Sequence, residues 1–366
     1  MKALVIGGTG PVGPYVVEGL FKRGYQVAIL HRGTHEIEFP VPVEHLHGDP
    51  HFLETLEETL GAHTFDLVIS MYGRLRYTAQ VMKERTPRFI AVVGLPYKAL
   101  IEGENGSGGV PVPIPENAPL FTDKERHKFT YLMVVSEQVV MDLHNQGYYD
   151  ATLLRFPFVY GPRQVAPLEW SIIRRILDGR KQIIIPDGGL KLMTRGYAEN
   201  MARAVLLAID RPEESAGQIY NTGDDTLLSI RNWVSIVASV FDYEWEMVSM
   251  PFELARPSRP YCGRVHHQVT DTTKIKTELG YRDIVPVEEG IRRTVKWYLD
   301  NRPQPGGEME QKLGDPFNYA IEDQIIQEYK EATANIRESA SVGYRWRHPY
   351  DHPRTPERTE LKTIHK

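Results

Sequence analysis

The chain has 366 residues, 41% of them hydrophobic and 25% charged, and a formal net charge of −5. That length allows one large or two modest domains, and the charge excludes the clustered basic excess of a broad nucleic-acid footprint. No stretch approaches the roughly 20 apolar residues of a membrane span, and the lone Cys262 excludes an intrachain disulfide and a cysteine-built zinc site, so a cytoplasmic protein with no nucleic-acid or membrane partner is expected.

In chain order, Ala3-Leu4-Val5-Ile6 is a short apolar run suited to a parallel strand buried on both faces. Gly7 to Gly13 follows, then a predicted helix from Pro14 to Arg23 that Gly24 terminates. Val27–Leu30 predicts the second strand, and Leu67–Ile69 and Phe89–Val93 predict later ones. Residues 101–120, rich in Gly and Pro, read as a long loop. A helix over 128–145 and a strand over 151–159 come next, and beyond Gly161 the pattern mixes: a helix over 170–179, a strand over 182–185 and a helix over 199–210. Alternating strands and helices predict an α/β fold, a Rossmann doubly wound parallel sheet. The expected organisation is a dinucleotide-binding domain over 1–165, a mixed lobe over 166–302 and a partly helical extension over 303–366 with Phe317, Ile321, Ile325, Tyr329 and Ile336 at helical spacing. The final residues, with Tyr344, Trp346, His348, Tyr350 and His352, read as irregular.

Gly7-Gly8-Thr9-Gly10-Pro11-Val12-Gly13 sits between a strand and a helix, where it can hold a diphosphate. Gly7 permits the sharp turn, Gly10 the close approach of backbone to pyrophosphate, and Gly13 tight packing of helix on sheet. The helix-start N–H groups then face the phosphates. After the second strand stands Leu30-His31-Arg32-Gly33, with no acidic residue to bond a ribose 2′-hydroxyl. Arg32 is a donor fork suited to a 2′-phosphate, which favours NADP over NAD, and Asp49 is placed to bond the adenine amino group.

These residues, with four further segments, resemble the extended short-chain dehydrogenase/reductases, the NAD(P)-dependent epimerase/dehydratase group, over about residues 1–300. The segments are Leu154-Arg155-Phe156-Pro157-Phe158-Val159-Tyr160-Gly161-Pro162-Arg163, Tyr220-Asn221-Thr222-Gly223, Asp271-Thr272-Thr273-Lys274 with Leu279-Gly280-Tyr281, and Glu288-Glu289-Gly290 through Trp297-Tyr298. The resemblance implies a smaller C-terminal substrate lobe interleaved with the Rossmann domain, and a homodimer. It also implies Thr9, Pro11 and Val12 of the loop, His31, Ser70, Met71 and Pro157 as cofactor neighbours.

The family's catalytic set is a Ser or Thr after the fifth strand and a Tyr-x-x-x-Lys pair on the next long helix, where i, i+4 spacing puts both side chains on one face. With the register anchored on Ser136-Glu137, those positions hold Gly94, Phe129 and Met133, none of which can move a proton. Tyr131 lies about 200° around the helix from Phe129 and is expected to contact substrate, as are Arg163 and Arg195. Tyr72 and Tyr97, each just beyond a strand, are the candidate substitute acids, with Lys98 as the cation beside Tyr97. No metal site is expected, since the adjacent His266 and His267 would point to opposite faces of a strand. The expected activity is an NADP-dependent oxidoreductase or epimerase-like enzyme acting on a small organic substrate. The alternatives are a non-redox lyase, cyclase or isomerase that retains the nucleotide, and a catalytically silent NADP-binding regulator.

Overall fold

The computed structural model describes residues 1–34, 36–102, 111–263, 266–341, 343 and 349. Residues 103–110 of the Gly/Pro-rich loop, Arg264 beside the histidine pair, and the tail aromatics Tyr344, Trp346, His348, Tyr350 and His352 lie outside them. Met1–Asn318 forms one compact unit and Tyr319–Lys366 a second.

In the first unit, β1 (Lys2–Ile6), α1 (Gly13–Lys22), β2 (Gln26–His31), β3 (Val43–His47), α2 (Leu53–Leu60), β4 (Leu67–Ser70), α3 (Leu75–Val81) and β5 (Arg88–Val93) come first. They are followed by α4 (Lys98–Glu102), α5 (Lys128–Asn145), β6 (Asp150–Arg155) and β7 (Phe158–Tyr160). Next are α6 (Leu168–Leu177), β8 (Gln182–Pro186), β9 (Leu192–Met193), β10 (Arg195–Tyr197), α7 (Ala198–Asp210), α8 (Pro212–Ser215) and β11 (Gln218–Asn221). The unit closes with β12 (Leu228–Ser229), α9 (Ile230–Ser239), β13 (Glu246–Met250), α10 (Arg259–Cys262), α11 (Thr273–Glu278), α12 (Val287–Asp300) and α13 (Glu308–Leu313). The second unit holds α14, Tyr319–Ala340.

Seven strands form a parallel sheet in the order β11-β6-β5-β4-β1-β2-β3. The apolar runs at 3–6, 67–69 and 89–91 are buried because α-helices cover both faces. One face packs Val16, Val17 and Leu20 of α1 and Met201 and Val205 of α7, and the other packs Leu56 of α2, Ala79 of α3 and Val140 of α5. A third core, around Tyr160, Trp170, Ile183, Trp233 and Val295, gives the smaller lobe its own interior, and β8 and β13 pair there in parallel. The chain leaves the sheet after β6 and returns to it as β11, so the lobe is interleaved rather than appended.

The strand expected over 151–159 is broken at Phe156-Pro157 into β6 and β7, and β7 pairs with β10 away from the sheet. The extension expected to begin at 303 begins later, because residues up to Asn318 are tied to the main unit. Glu310 accepts from Trp170 Nε1 (2.9 Å) and Arg174 (2.5 Å), and Asp315 pairs with Arg175 at 2.6 Å with both side chains fully buried.

A second buried pair holds the sheet to the helix beside it. Arg155, at the end of β6, donates Nε to Glu137 Oε1 (2.7 Å) and a terminal nitrogen to Glu137 Oε2 (2.6 Å). Its other terminal nitrogen donates to the Tyr97 hydroxyl (2.9 Å) and the Glu116 carbonyl (2.8 Å). Tyr97 in turn donates to Asn221 Oδ1 (2.5 Å), and Glu116 Oε1 accepts from the Asn221 N–H (2.9 Å). One guanidinium therefore joins α5, β6, the segment after β5, the proline-rich loop and β11. Removing one partner strands a buried charge, so Glu137→Ala is expected to lower unfolding free energy by about 3–5 kcal/mol in urea titration.

Where the lobe meets the sheet, Asp283 accepts from the Asp225 N–H (2.7 Å) and the Tyr281 hydroxyl (3.0 Å). Burial, then the neighbouring Asp224 carboxylate, pushes the Asp283 carboxyl up to about 7. A carboxyl raised in the fold contributes stability that is complete below its unfolded value near 3.8 and is lost as pH climbs through about 7. The melting temperature of the wild type should therefore fall more steeply between pH 5 and 8 than that of Asp283→Asn; parallel curves would refute this coupling.

Candidate dinucleotide and active site

The turn from β1 into α1 is built from positions where a side chain has no room. Gly7 has φ +92°, and a Cβ on it would stand 2.3 Å from Tyr72 Cβ. A Cβ on Gly13 would stand 1.9 Å from the Gly8 carbonyl oxygen. Gly10 differs: its Cβ would meet only the Gly7 carbonyl oxygen, at 3.8 Å, so its face is open. No side chain caps α1 at Val12, so no capping group competes with an anion at the start of this helix. A cradle with an open Gly10 and an uncapped helix start fits a diphosphate.

Arg32 is exposed beyond β2, with its guanidinium 5.6 Å from the centre of the Tyr72 ring. Tyr72 also meets the His51 ring edge-on at 5.0 Å. Asp49 Oδ1 accepts from the His51 N–H (3.0 Å) and pairs with His51 Nδ1 (2.7 Å). Burial raises the Asp49 carboxyl, but the His51 hydrogen bonds and the Arg32 charge outweigh it and hold the group below the ordinary range. His31 is buried, which lowers its pKa and keeps the ring neutral, and its Nδ1 accepts from the Gly33 N–H (3.2 Å). Arg32, Asp49 and Tyr72 therefore converge at one end of the glycine turn, and Tyr72 stands over the turn itself. Met71 is half-buried against the core that holds Val5 and Ile29. Ser70 departs from expectation: it is 1% exposed and its hydroxyl is bonded to Thr78 Oγ1 (3.0 Å), so it fastens β4 to α3 rather than facing a ligand.

At the positions expected to be catalytic, a Cβ on Gly94 would stand 3.0 Å from Met133 Sδ, so the end of β5 and α5 pack together there. Phe129 is 72% exposed in the first turn of α5, and Tyr131 is half-buried. Tyr97 is a correction. Expected as an acid, it is fully buried and its hydroxyl is engaged by Arg155 and Asn221. Burial raises its pKa, and its place in the fold is that of a strut. Lys98 is exposed beside it. Arg195, expected to meet an anionic substrate group, is instead buried against Glu169 at 2.6 Å, with its guanidinium 4.1 Å from the Trp233 ring centre. Arg163 is exposed with φ 63°, and Pro157 is buried at the break between β6 and β7. Reading the sequence missed His51, whose Asp-x-His spacing from Asp49 was its signal, and missed the Arg155–Glu137–Tyr97–Asn221 network, whose members lie far apart in the chain.

The family model for the NAD dependent epimerase/dehydratase family matches residues 108–223. The chain is similar to the dTDP-glucose 4,6-dehydratase of Streptomyces antibioticus, 26% identical over 203 residues, 54% of each chain. The match thus spans about half the length of that relative. It is also similar to the chloroplast stem-loop binding protein of 41 kDa b of Arabidopsis thaliana, 24% identical over 312 residues, 79% of this chain and 77% of the relative. Among solved structures, the UDP-glucose 4-epimerase of Thermotoga maritima with UDP-glucose superposes with a TM-score of 0.65 at 20% identity, over 83% of this chain and all of the epimerase. Over part of its length the chain is thus similar in sequence to the NAD dependent epimerase/dehydratase family, and it shares the fold of the Thermotoga epimerase. Among the described residues, no helix is long and apolar enough to cross a membrane.

The turn yields a test of its own. Gly13→Ala is expected to cost about 1–3 kcal/mol of stability, because the added methyl meets backbone. Gly10→Ala should leave the urea midpoint unchanged, and equal losses would contradict the geometry.

Proposed function

We propose that this chain binds NADP in preference to NAD and works as an oxidoreductase or epimerase-like enzyme on a small organic substrate of the nucleotide-sugar class. The observation that carries the reading is the open face of Gly10 at an uncapped helix start, with the exposed Arg32 guanidinium at the end of β2 and no acidic residue in the turn His31-Arg32-Gly33. The family description names an NAD dependent group, and the Thermotoga epimerase was solved with UDP-glucose, which supports the substrate class.

In this reading the loop amides and the start of α1 hold the diphosphate, and Arg32 forks onto the 2′-phosphate. Tyr72 covers the turn, and Asp49, oriented by His51, meets the adenine edge. A bound nicotinamide supplies hydride transfer. Gly94, Phe129 and Met133 replace the proton-moving set, so α5 contributes shape and an apolar wall, with Tyr131 and Arg163 turned to the substrate. A second reading, nucleotide binding without turnover, is favoured by one observation: Tyr97 is sealed in the core and leaves Phe129 without a hydroxyl in its place. Assembly as a homodimer belongs to the same proposal.

Titration calorimetry with NADPH and NADH tests the binding step. Arg32→Glu is expected to weaken NADPH at least tenfold with little change for NADH, since a charge-assisted hydrogen bond contributes about 1.5–3 kcal/mol. Gly10→Val should weaken both nucleotides with the fold intact. No affinity for either nucleotide in the wild type defeats the whole reading. With binding in hand, absorbance loss from NADPH over a panel of nucleotide sugars supports the oxidoreductase. Product without absorbance change points to epimerase or lyase chemistry, and no product at all selects the silent binder.

A further inference from the structure

Three imidazoles and one carboxylate converge at the edge of the sheet, next to the residues after β2 described above. His45 and His47 alternate along β3, so both point to the same face. The parallel register sets His31 of β2 beside His47, and Ile29 beside His45, which brings His31 onto that face as well. The connection from β2 to β3 then folds Glu36 back over all three rings. Its carboxylate lies 3.4 Å from His45 Nδ1, 3.3 Å from His47 Nε2 and 3.9 Å from His31 Nδ1. His31 Nε2 and His45 Nδ1 are 3.0 Å apart. One donor atom from each of the four residues falls within 4.8 Å of every other.

We propose that His31, Glu36, His45 and His47 form a binding site for a divalent transition metal of the zinc class. Donors around a tetrahedral zinc, at bonds of about 2.0–2.1 Å, stand roughly 3.3 Å apart, and the closest pairs here, 3.0–3.9 Å, approach that spacing within a cluster no wider than 4.8 Å. Imidazole with carboxylate is a donor set for zinc and its neighbours rather than for calcium or magnesium, which take oxygen ligands. Four protein ligands close the coordination sphere, so the site is structural rather than catalytic. The metal pins the connection after Arg32 to the two edge strands. Occupancy costs the Gly33 N–H bond to His31 Nδ1, because an imidazole metallated at one nitrogen carries its proton on the other. The pattern His31…Glu36…His45-x-His47 was present in the sequence, yet only the β2–β3 register gathers it.

The test uses the untagged full chain, freed of metal by chelation and titrated with zinc sulfate alone or cobalt(II) chloride alone. One zinc per chain is expected, with a raised melting temperature and a cobalt complex showing the intense visible absorption of tetrahedral coordination. His45→Ala with His47→Ala should weaken zinc binding by at least a hundredfold. Both side chains are partly or largely exposed, and the melting temperature of the metal-free variant checks that the fold survives. Glu36→Gln, which keeps size, should weaken zinc about tenfold or more. No stoichiometric uptake by the wild type overturns the site. So does equal uptake by the double variant, or a cobalt spectrum of the weak octahedral kind.

Discussion

A buried guanidinium cannot stay charged without partners, and Arg155 has been given a complete set of them. Glu137 takes two of its donors side by side, and the Tyr97 hydroxyl and the Glu116 carbonyl take another. The partners come from α5, the segment following β5 and the proline-rich loop that holds Glu116. In a medium where each unpaired group is expensive, satisfying this one cation fixes how those parts meet. It also explains why Tyr97 serves the structure: its hydroxyl lies between Arg155 and Asn221 and is not free to serve a ligand.

The two halves of the candidate site have diverged in different ways. The nucleotide half depends on backbone, on where a Cβ has no room and where no side chain caps the helix start. The chemical half would depend on side chains that move protons, and the positions expected to carry them hold Gly94, Phe129 and Met133. Met133 fills the space beside Gly94, so these two positions pack together. Binding geometry and proton transfer are separable properties of one scaffold, so the first can persist while the second is rebuilt or lost.

The strands that were legible are those buried on both faces, because a continuous apolar run announces them. The third strand, Val43–His47, was not, because it lies at the sheet edge with polar and half-exposed side chains and carries no such run. The histidines it positions stayed scattered in the sequence for the same reason. Arg195 was misread as a substrate contact because spacing places it near the lobe but cannot show Glu169 reaching it from α6. The end of the main unit was misplaced because Pro303, Pro305, Gly306 and Gly307 look like a linker, whereas Glu310 and Asp315 bind back to α6.

By itself the sequence determined the parallel sheet, the glycine turn and the absence of a Tyr-x-x-x-Lys spacing from the helix over 128–145. Each of these is written in neighbouring residues, through periodicity, glycine spacing or the interval of one helical turn. Only the tertiary structure decided which polar side chains are spoken for. Ser70, Tyr97, Arg155 and Arg195 have partners 8 to 124 positions away. The fate of a charge or a hydroxyl depends on what lies within about 3 Å of it, a distance that chain order does not encode.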